Sequence, residues 1–255
     1  MSRSIWTQCA ASFSFRALSL DAWRVVESQH LTSTRKLVDS DAEQELLEQL
    51  VDRVKPPAPV GKKFAQLHYL LFTPFRHPPL RHGSRFGTRS EPGIWYGSKE
   101  LETGFAEVAY YRLLFLDGTS ADIAPVTIEL SAFTSALTSK KWADLTRPPF
   151  LAHARALTSK TSYAVTHALG REMRAAGVEA FLYTSARAIE KGTNVALFVP
   201  AFAKKSPKKI DTWICTVDRK KVELTEKGFL VGRARRFTFR RSSFEVRGAL
   251  PSPST

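Results

Sequence analysis

The sequence predicts an α+β fold with an antiparallel or split sheet and flanking helices. Short apolar runs of strand length recur along the chain, bounded by glycine, proline and polar residues. A few stretches of helical periodicity interrupt them, and no internal repeat is visible. Hydrophobic residues make up 43% of the 255, enough for a real core and too many for a disordered chain.

The elements follow in chain order. Ser40-Asp41-Ala42-Glu43 reads as a capping box that opens a helix. Leu46, Leu47, Leu50, Val51 and Val54 continue it as one apolar stripe, and Lys55-Pro56-Pro57-Ala58-Pro59 ends it. Leu67–Thr73 is an apolar run of strand length, followed by Arg76 between Pro74 and Pro78. Ile94–Tyr96 is a short strand. Ser98 is the expected N-cap of a helix over 99–115, on which Glu107 lies off the centre of the apolar face, close to Gly104 and Tyr111. Pro125–Leu130 is a strand, residues 131–160 are mixed, and Arg147-Pro148-Pro149 marks a loop. Thr161 or Ser162 caps a helix to Ala176 that Gly177 closes. Strands over 178–183 and 194–199 flank a polar loop carrying Ser185. Further strands are expected at 210–217, 221–224 and 236–240, with a frayed tail from Pro251. The chain therefore divides into an N-terminal extension (1–60), a central domain (61–203) and a basic, strand-rich C-terminal extension (204–255). Trp23, Val25 and Val26 are expected to pack onto the central domain.

Net charge is +14, unevenly placed. Residues 204–247 hold 14 Lys/Arg against 5 Asp/Glu, so 14 − 5 = +9 falls there and 14 − 9 = +5 elsewhere. Such a block suits nucleic acid or an acidic partner; the plainer alternative is a solvated, lysine-rich sheet face. No recognition helix or aromatic RNA platform accompanies it. Two cysteines, Cys9 and Cys215, make no disulfide framework, and no Cys/His cluster has metal-ligand spacing. No apolar run approaches membrane-spanning length, and a reducing cytoplasm is the expected compartment. The first 20 residues, with five serines and no acid, share a composition with transit peptides, but the next segment looks structured.

Candidate chemistry concentrates in two segments. The first runs from Phe75 to Glu107 and carries Arg76, Arg85, Arg89, Tyr96 and Glu107. Guanidinium forks bind phosphate bidentately, and an aromatic hydroxyl with one carboxylate suits a nucleotide whose glycosidic bond is broken. The second, Gly177 to Pro200, carries Ser185 and Asn194. No Gly-x-Ser-x-Gly surrounds Ser185, which argues against a serine-hydrolase nucleophile.

Together these segments resemble the RES domain over roughly 67–202. The resemblance rests on Arg76, on the Arg85-Phe86-Gly87 turn with Arg89, and on the strand ending at Tyr96. It continues with Glu107, 107 − 96 = 11 residues later, and with Ser185 ahead of Asn194-x-x-Leu197-Phe198-x-Pro200. The resemblance implies an ADP-ribosyltransferase-like fold and a toxin of a toxin–antitoxin pair. It implies cleavage of the nicotinamide–ribose bond of NAD, with water or phosphate as acceptor and NAD as substrate rather than cofactor. Its catalytic set would be Arg76, Glu107 and Ser185. Arg85, Arg89, Tyr96 and Asn194 would bind NAD, Asn194 also bracing the Ser185 loop. The implied partner is an Xre-like antitoxin, through which contact with nucleic acid would be indirect. The two extensions are expected to shield the cleft, bind the antitoxin or support a homodimer. ADP-ribosyl transfer to a protein or nucleic acid, a nucleic-acid-binding module built on 204–247, and an inactive scaffold are the alternatives.

Overall fold

The computed structural model describes residues 4–28, 37–57, 59–79, 82–121, 123, 125–228 and 234–252. It is an α+β molecule around an eight-stranded, mostly antiparallel sheet. The strands are β1 (Arg16–Glu27), β2 (Trp95–Ser98), β3 (Val126–Asp144), β4 (Ala180–Thr184), β5 (Thr193–Leu197), β6 (Lys209–Val217), β7 (Lys221–Glu226) and β8 (Arg236–Arg240). The helices are α1 (Ile5–Cys9), α2 (Asp41–Val54), α3 (Tyr69–Arg76), α4 (Leu101–Asp117), α5 (Ala154–Leu157) and α6 (Ala164–Ala175).

The sheet closes on itself. Its order is β1-β2-β5-β4-β3-β6-β7-β8, and β1 also pairs antiparallel with β3 from Arg16↔Trp142 to Glu27↔Leu130. Five strands thus form a ring, β1-β2-β5-β4-β3, and β6–β8 extend from the other edge of β3. Among the described residues the only parallel pair is β3 with β4. Alternate residues of all five ring strands meet inside: Ala22, Trp95, Val195, Leu182, Leu137 and Trp142 are all buried. Burying a large apolar side chain of this kind contributes about 1.5–3 kcal/mol. A second core joins α1 and α6 to β4 and β5 through Trp6, Met173, Phe181 and Phe198. A third seats α4 on β6–β8 through Phe105, Leu113, Trp213, Leu224 and Phe239.

Several elements depart from the sequence expectation. Residues 16–27, assigned to an extension, form the strand that closes the ring, and β6–β8 continue the same sheet. The sheet therefore runs across the boundaries drawn at 60 and 203. The apolar run at 67–73 is helical: His68 Nδ1 accepts from the Leu70 N–H at 3.3 Å and caps α3, which tolerates Pro74 near its end. β3 does not stop at Leu130 but continues to Asp144, its period masked by Ser131, Thr134, Ser135, Thr138 and Ser139. Ser98 ends β2, and Glu100 occupies the N-cap position of α4.

Other expectations hold. Ser40 Oγ accepts from the Glu43 N–H at 3.2 Å and Glu43 Oε2 from the Ser40 N–H at 3.3 Å, the reciprocal capping box. Gly177 closes α6 with φ +78°. The frayed tail expected from Pro251 does not begin there: Pro251 is buried, and its carbonyl accepts from the Tyr110 hydroxyl. Residues 253–255 lie outside the described residues. Among the described residues no helix is long and apolar enough to cross a membrane.

Candidate active site

A cleft of about 680 Å³ opens between α4, β1 and the loop before β2. Helix α4 is apolar on nearly all sides and packs on the sheet through Phe105, Ala109, Leu113 and Leu116. The stripe through Gly104, Glu107, Val108 and Tyr111 is left for the cleft.

Glu107 is anchored through one oxygen. Ser185 Oγ donates to its Oε1 at 2.7 Å and Asn194 Nδ2 at 2.6 Å. Among the described residues no group donates to Oε2. Each donor is itself oriented. Ser98 Oγ donates to Asn194 Oδ1 at 2.7 Å, which fixes which end of the amide faces Glu107. Ser185 Oγ accepts from the N–H groups of Arg187 and Ala188 at 3.1 and 3.0 Å, so its proton is directed at the carboxylate. Ser185, Asn194 and Ser98 are all buried. A buried serine spent in this way is a positioning group, not a nucleophile.

The arginines divide. Arg85 lines the cleft, donates to the carbonyls of Leu157 and Ser159 at 3.3 and 3.0 Å, and lies 4.8 Å from the Tyr163 ring centroid. Arg76 and Arg89 are not brought to the cleft: Arg76 Nε donates to the Pro56 carbonyl, and Arg89 is exposed on its turn. A different arginine lines the wall. Arg24 of β1 donates through Nη1 to the Tyr96 carbonyl, and its Nε is buried with no hydrogen-bond partner among the described residues. Burial lowers its pKa to about 10, so it stays cationic at neutral pH. Arg187, two residues past Ser185, is almost fully buried, sits 3.5 Å from the Tyr110 ring centroid and donates to the Lys160 carbonyl. It ties the Ser185 loop to the helix that carries Glu107. Neither Arg24 nor Arg187 was singled out from sequence. Arg24 lies in a segment assigned to an extension, whereas the spacing of Arg187 from Ser185 could have drawn attention to it.

Tyr96 holds the arginine-bearing turn rather than standing free. Its hydroxyl lies 3.0 Å from Ser84 Oγ and accepts from the Phe86 N–H at 3.1 Å. His167 Nε2 meets the Ser84 carbonyl at 2.7 Å from the other side. Burial pushes the hydroxyls of Tyr96 and Tyr110 up to about 12, and that of Tyr183 well above its ordinary range. In the unfolded chain each ionises near 10.0. For Tyr96 and Tyr110 the folded state therefore holds the proton more tightly between pH 10 and 12, and stability falls as pH rises through that window. The slope is about 1.4 kcal/mol per pH unit for each such group. Urea midpoints measured between pH 8 and 12 should begin to fall above 9, where burial of the Cys215 thiol raises it from 9.0 to about 11, and drop more steeply above 10; a level profile to 12 would contradict the buried hydroxyls.

The basic block is largely occupied internally. Lys208 pairs with Asp21, Lys209 with Asp211, Lys221 with Glu223, Lys227 with Glu129, Arg235 with Asp211 and Glu226, and Arg241 with Asp117 and Glu245. Arg219 donates to the carbonyls of Leu116, Thr119 and Ala121. These contacts make much of that charge part of the sheet's own surface.

In comparisons with known proteins, the family model of the RES domain matches residues 60–218, from the proline-rich linker through β6. None of the curated proteins compared with the chain matches it. Glu107, Ser185, Asn194, Arg85 and Tyr96 all fall within the matched span, and Arg24 lies before it. The chain belongs to the RES-domain family, whose members act on NAD in association with toxin–antitoxin pairs.

Proposed function

We propose that the protein is a toxin enzyme that cleaves the nicotinamide–ribose bond of NAD, with water or phosphate as acceptor. The observation that carries this reading is the Glu107 carboxylate, fixed through Oε1 by Ser185 and Asn194 while Oε2 has no donor among the described residues. The nicotinamide of NAD leaves readily because its ring nitrogen is cationic. As the C1′–N1 bond breaks, its electron pair goes to N1 and positive charge develops at C1′. A preorganised carboxylate stabilises that charge without having to reorient. The oxygen of water or phosphate then bonds to C1′. A water nucleophile sheds one proton to solvent; the products are nicotinamide and ADP-ribose, or its 1″-phosphate.

Arg85 and Arg24, which both line the cleft, are the cations assigned to the diphosphate. Tyr183 and Tyr163 add aromatic walls against which a flat heterocycle packs. An Xre-like antitoxin that covers the cleft is the proposed partner, which would make contact with nucleic acid indirect.

Mass-spectrometric product analysis tests the reading. Purified protein with NAD should release nicotinamide together with ADP-ribose, or with ADP-ribose-1″-phosphate when phosphate is present. Label from adenine-labelled NAD appearing on a protein or nucleic acid would instead assign macromolecular transfer. Intact NAD after prolonged incubation, with the fold verified, would sink the proposal.

A further inference from the structure

The cleft continues well past Glu107. On α4 the lining residues include Glu107, Val108, Tyr111, Arg112 and Phe115, one face of the helix. At 1.5 Å per residue that face follows the groove for about 12 Å. The facing wall is β1, whose residues Trp23, Arg24, Val25, Val26 and Glu27 all line the same groove. At its outer end Arg112 Nη2 pairs with Glu27 Oε2 at 2.7 Å, bridging the two walls. Phe115, three residues past Arg112 on α4, lines the same groove and is 75% exposed, although neighbouring Phe105, Leu113 and Leu116 on the same helix are buried. The groove therefore has a charged inner end and an outer end that combines a bare phenyl ring with a carboxylate–guanidinium pair.

We propose that this outer half is the adenosine subsite, with Phe115 as the surface for adenine and Glu27 as acceptor for the ribose 2′-hydroxyl. The site then takes NAD and rejects NADP. The inference rests on the NAD reading above and deepens it. An extended dinucleotide separates its two bases by a distance on the order of the helix span from Glu107 to Phe115. A flat base covering an exposed ring removes apolar surface from water. A carboxylate accepts hydrogen bonds from a ribose hydroxyl and repels a phosphate in its place, whereas an arginine favours that phosphate. Here the arginine is already neutralised: Arg112 is held by Glu27. Removing the carboxylate would free a guanidinium where a 2′-phosphate could meet it.

The test uses the full chain, Glu27→Gln and Phe115→Ala, with two readouts. Calorimetric titration compares ADP-ribose with 2′-phospho-ADP-ribose. Steady-state turnover compares NAD, NADP and nicotinamide mononucleotide, which lacks the adenosine half. The unsubstituted protein should bind ADP-ribose about 100-fold more tightly than the 2′-phosphorylated form, and Glu27→Gln should narrow that gap about 10-fold. Phe115→Ala should weaken ADP-ribose about 10-fold and reduce kcat/KM for NAD about 10-fold more than for the mononucleotide. Equal affinity for the two ligands in the unsubstituted protein would overturn the proposal, as would equal losses on NAD and the mononucleotide in Phe115→Ala. The two arms separate the failures. Discrimination in binding with no nicotinamide released would remove the cleavage reading and leave the subsite. Nicotinamide released equally well from NAD and NADP would do the reverse.

Discussion

Glu107→Ala should lower the rate of nicotinamide release about 1000-fold while the protein stays folded, the size of effect seen when a preorganised electrostatic group is removed. The side chain lies at the cleft, and its loss leaves the Ser185 hydroxyl and the Asn194 amide without their shared acceptor. Both donors can then turn to water in the vacated space, so the stability change should stay within about 1–2 kcal/mol. Glu107→Gln separates charge from shape. Its carbonyl oxygen still accepts from both donors, so an equal loss of rate would assign the effect to the missing negative charge. Single-turnover release of nicotinamide from NAD, with thermal unfolding as the control, gives the answer. In growing cells the same variant should neither deplete NAD nor arrest growth. A rate within threefold of the unsubstituted protein would remove Glu107 from the mechanism. Arg76→Ala is the informative companion: its guanidinium binds the Pro56 carbonyl outside the cleft lining, so a large loss of rate would point to a site other than this cleft.

Gly170→Ala should destabilise the protein by about 3 kcal/mol, although the same change inside a helix ordinarily stabilises by nearly 1 kcal/mol. Gly170 lies within α6, where that helix crosses the Ser84–Phe86 turn. A Cβ there would stand 2.1 Å from the Phe86 carbonyl oxygen and 3.3 Å from its Cα. Backbone cannot rotate away as a side chain can, so the helix or the turn must move. The turn carries Arg85, and the Phe86 N–H is bound by Tyr96, so displacement would also disturb the cleft. For a chain of this size, 3 kcal/mol corresponds to a fall in Tm of about 6–12 °C. Calorimetry at neutral pH checks it. An unchanged or higher Tm would show that propensity outweighs the close contact.

What the sequence revealed follows from where the information is local. The capping box of α2, the glycine end of α6 and the strand at Arg236–Arg240 depend on neighbours within a few residues, and all were legible. Glu107, Ser185 and Asn194 were legible as candidates because they stand in ordered motifs; that they share one oxygen was not, since they lie 78 and 87 residues apart. Tyr-Leu-Leu-Phe at the start of α3 suits a helix or a strand equally well, and the fold decided. Arg24 was missed for a related reason. Trp23-Arg24-Val25-Val26 is a strand pattern, but only pairing with β3 more than 100 residues later reveals it as a wall of the cleft.

The closure of the strand ring also orders events in time. β1 is made first, yet its partner segment on β3 begins at Leu130, and the residues that orient Glu107 come last, at Ser185 and Asn194. A ribosome adding 5–20 residues per second reaches Asn194 about 4–17 s after it has added Glu107. Throughout that interval the nascent chain carries the carboxylate without both groups that aim it, and for its first part, until β3 is complete at Asp144, β1 also lacks the strand that holds it. Long-range pairing of this kind is also slow to form once the chain is complete. On the proposed reading, the emerging polypeptide is catalytically silent by topology alone until Ser185 and Asn194 join Glu107.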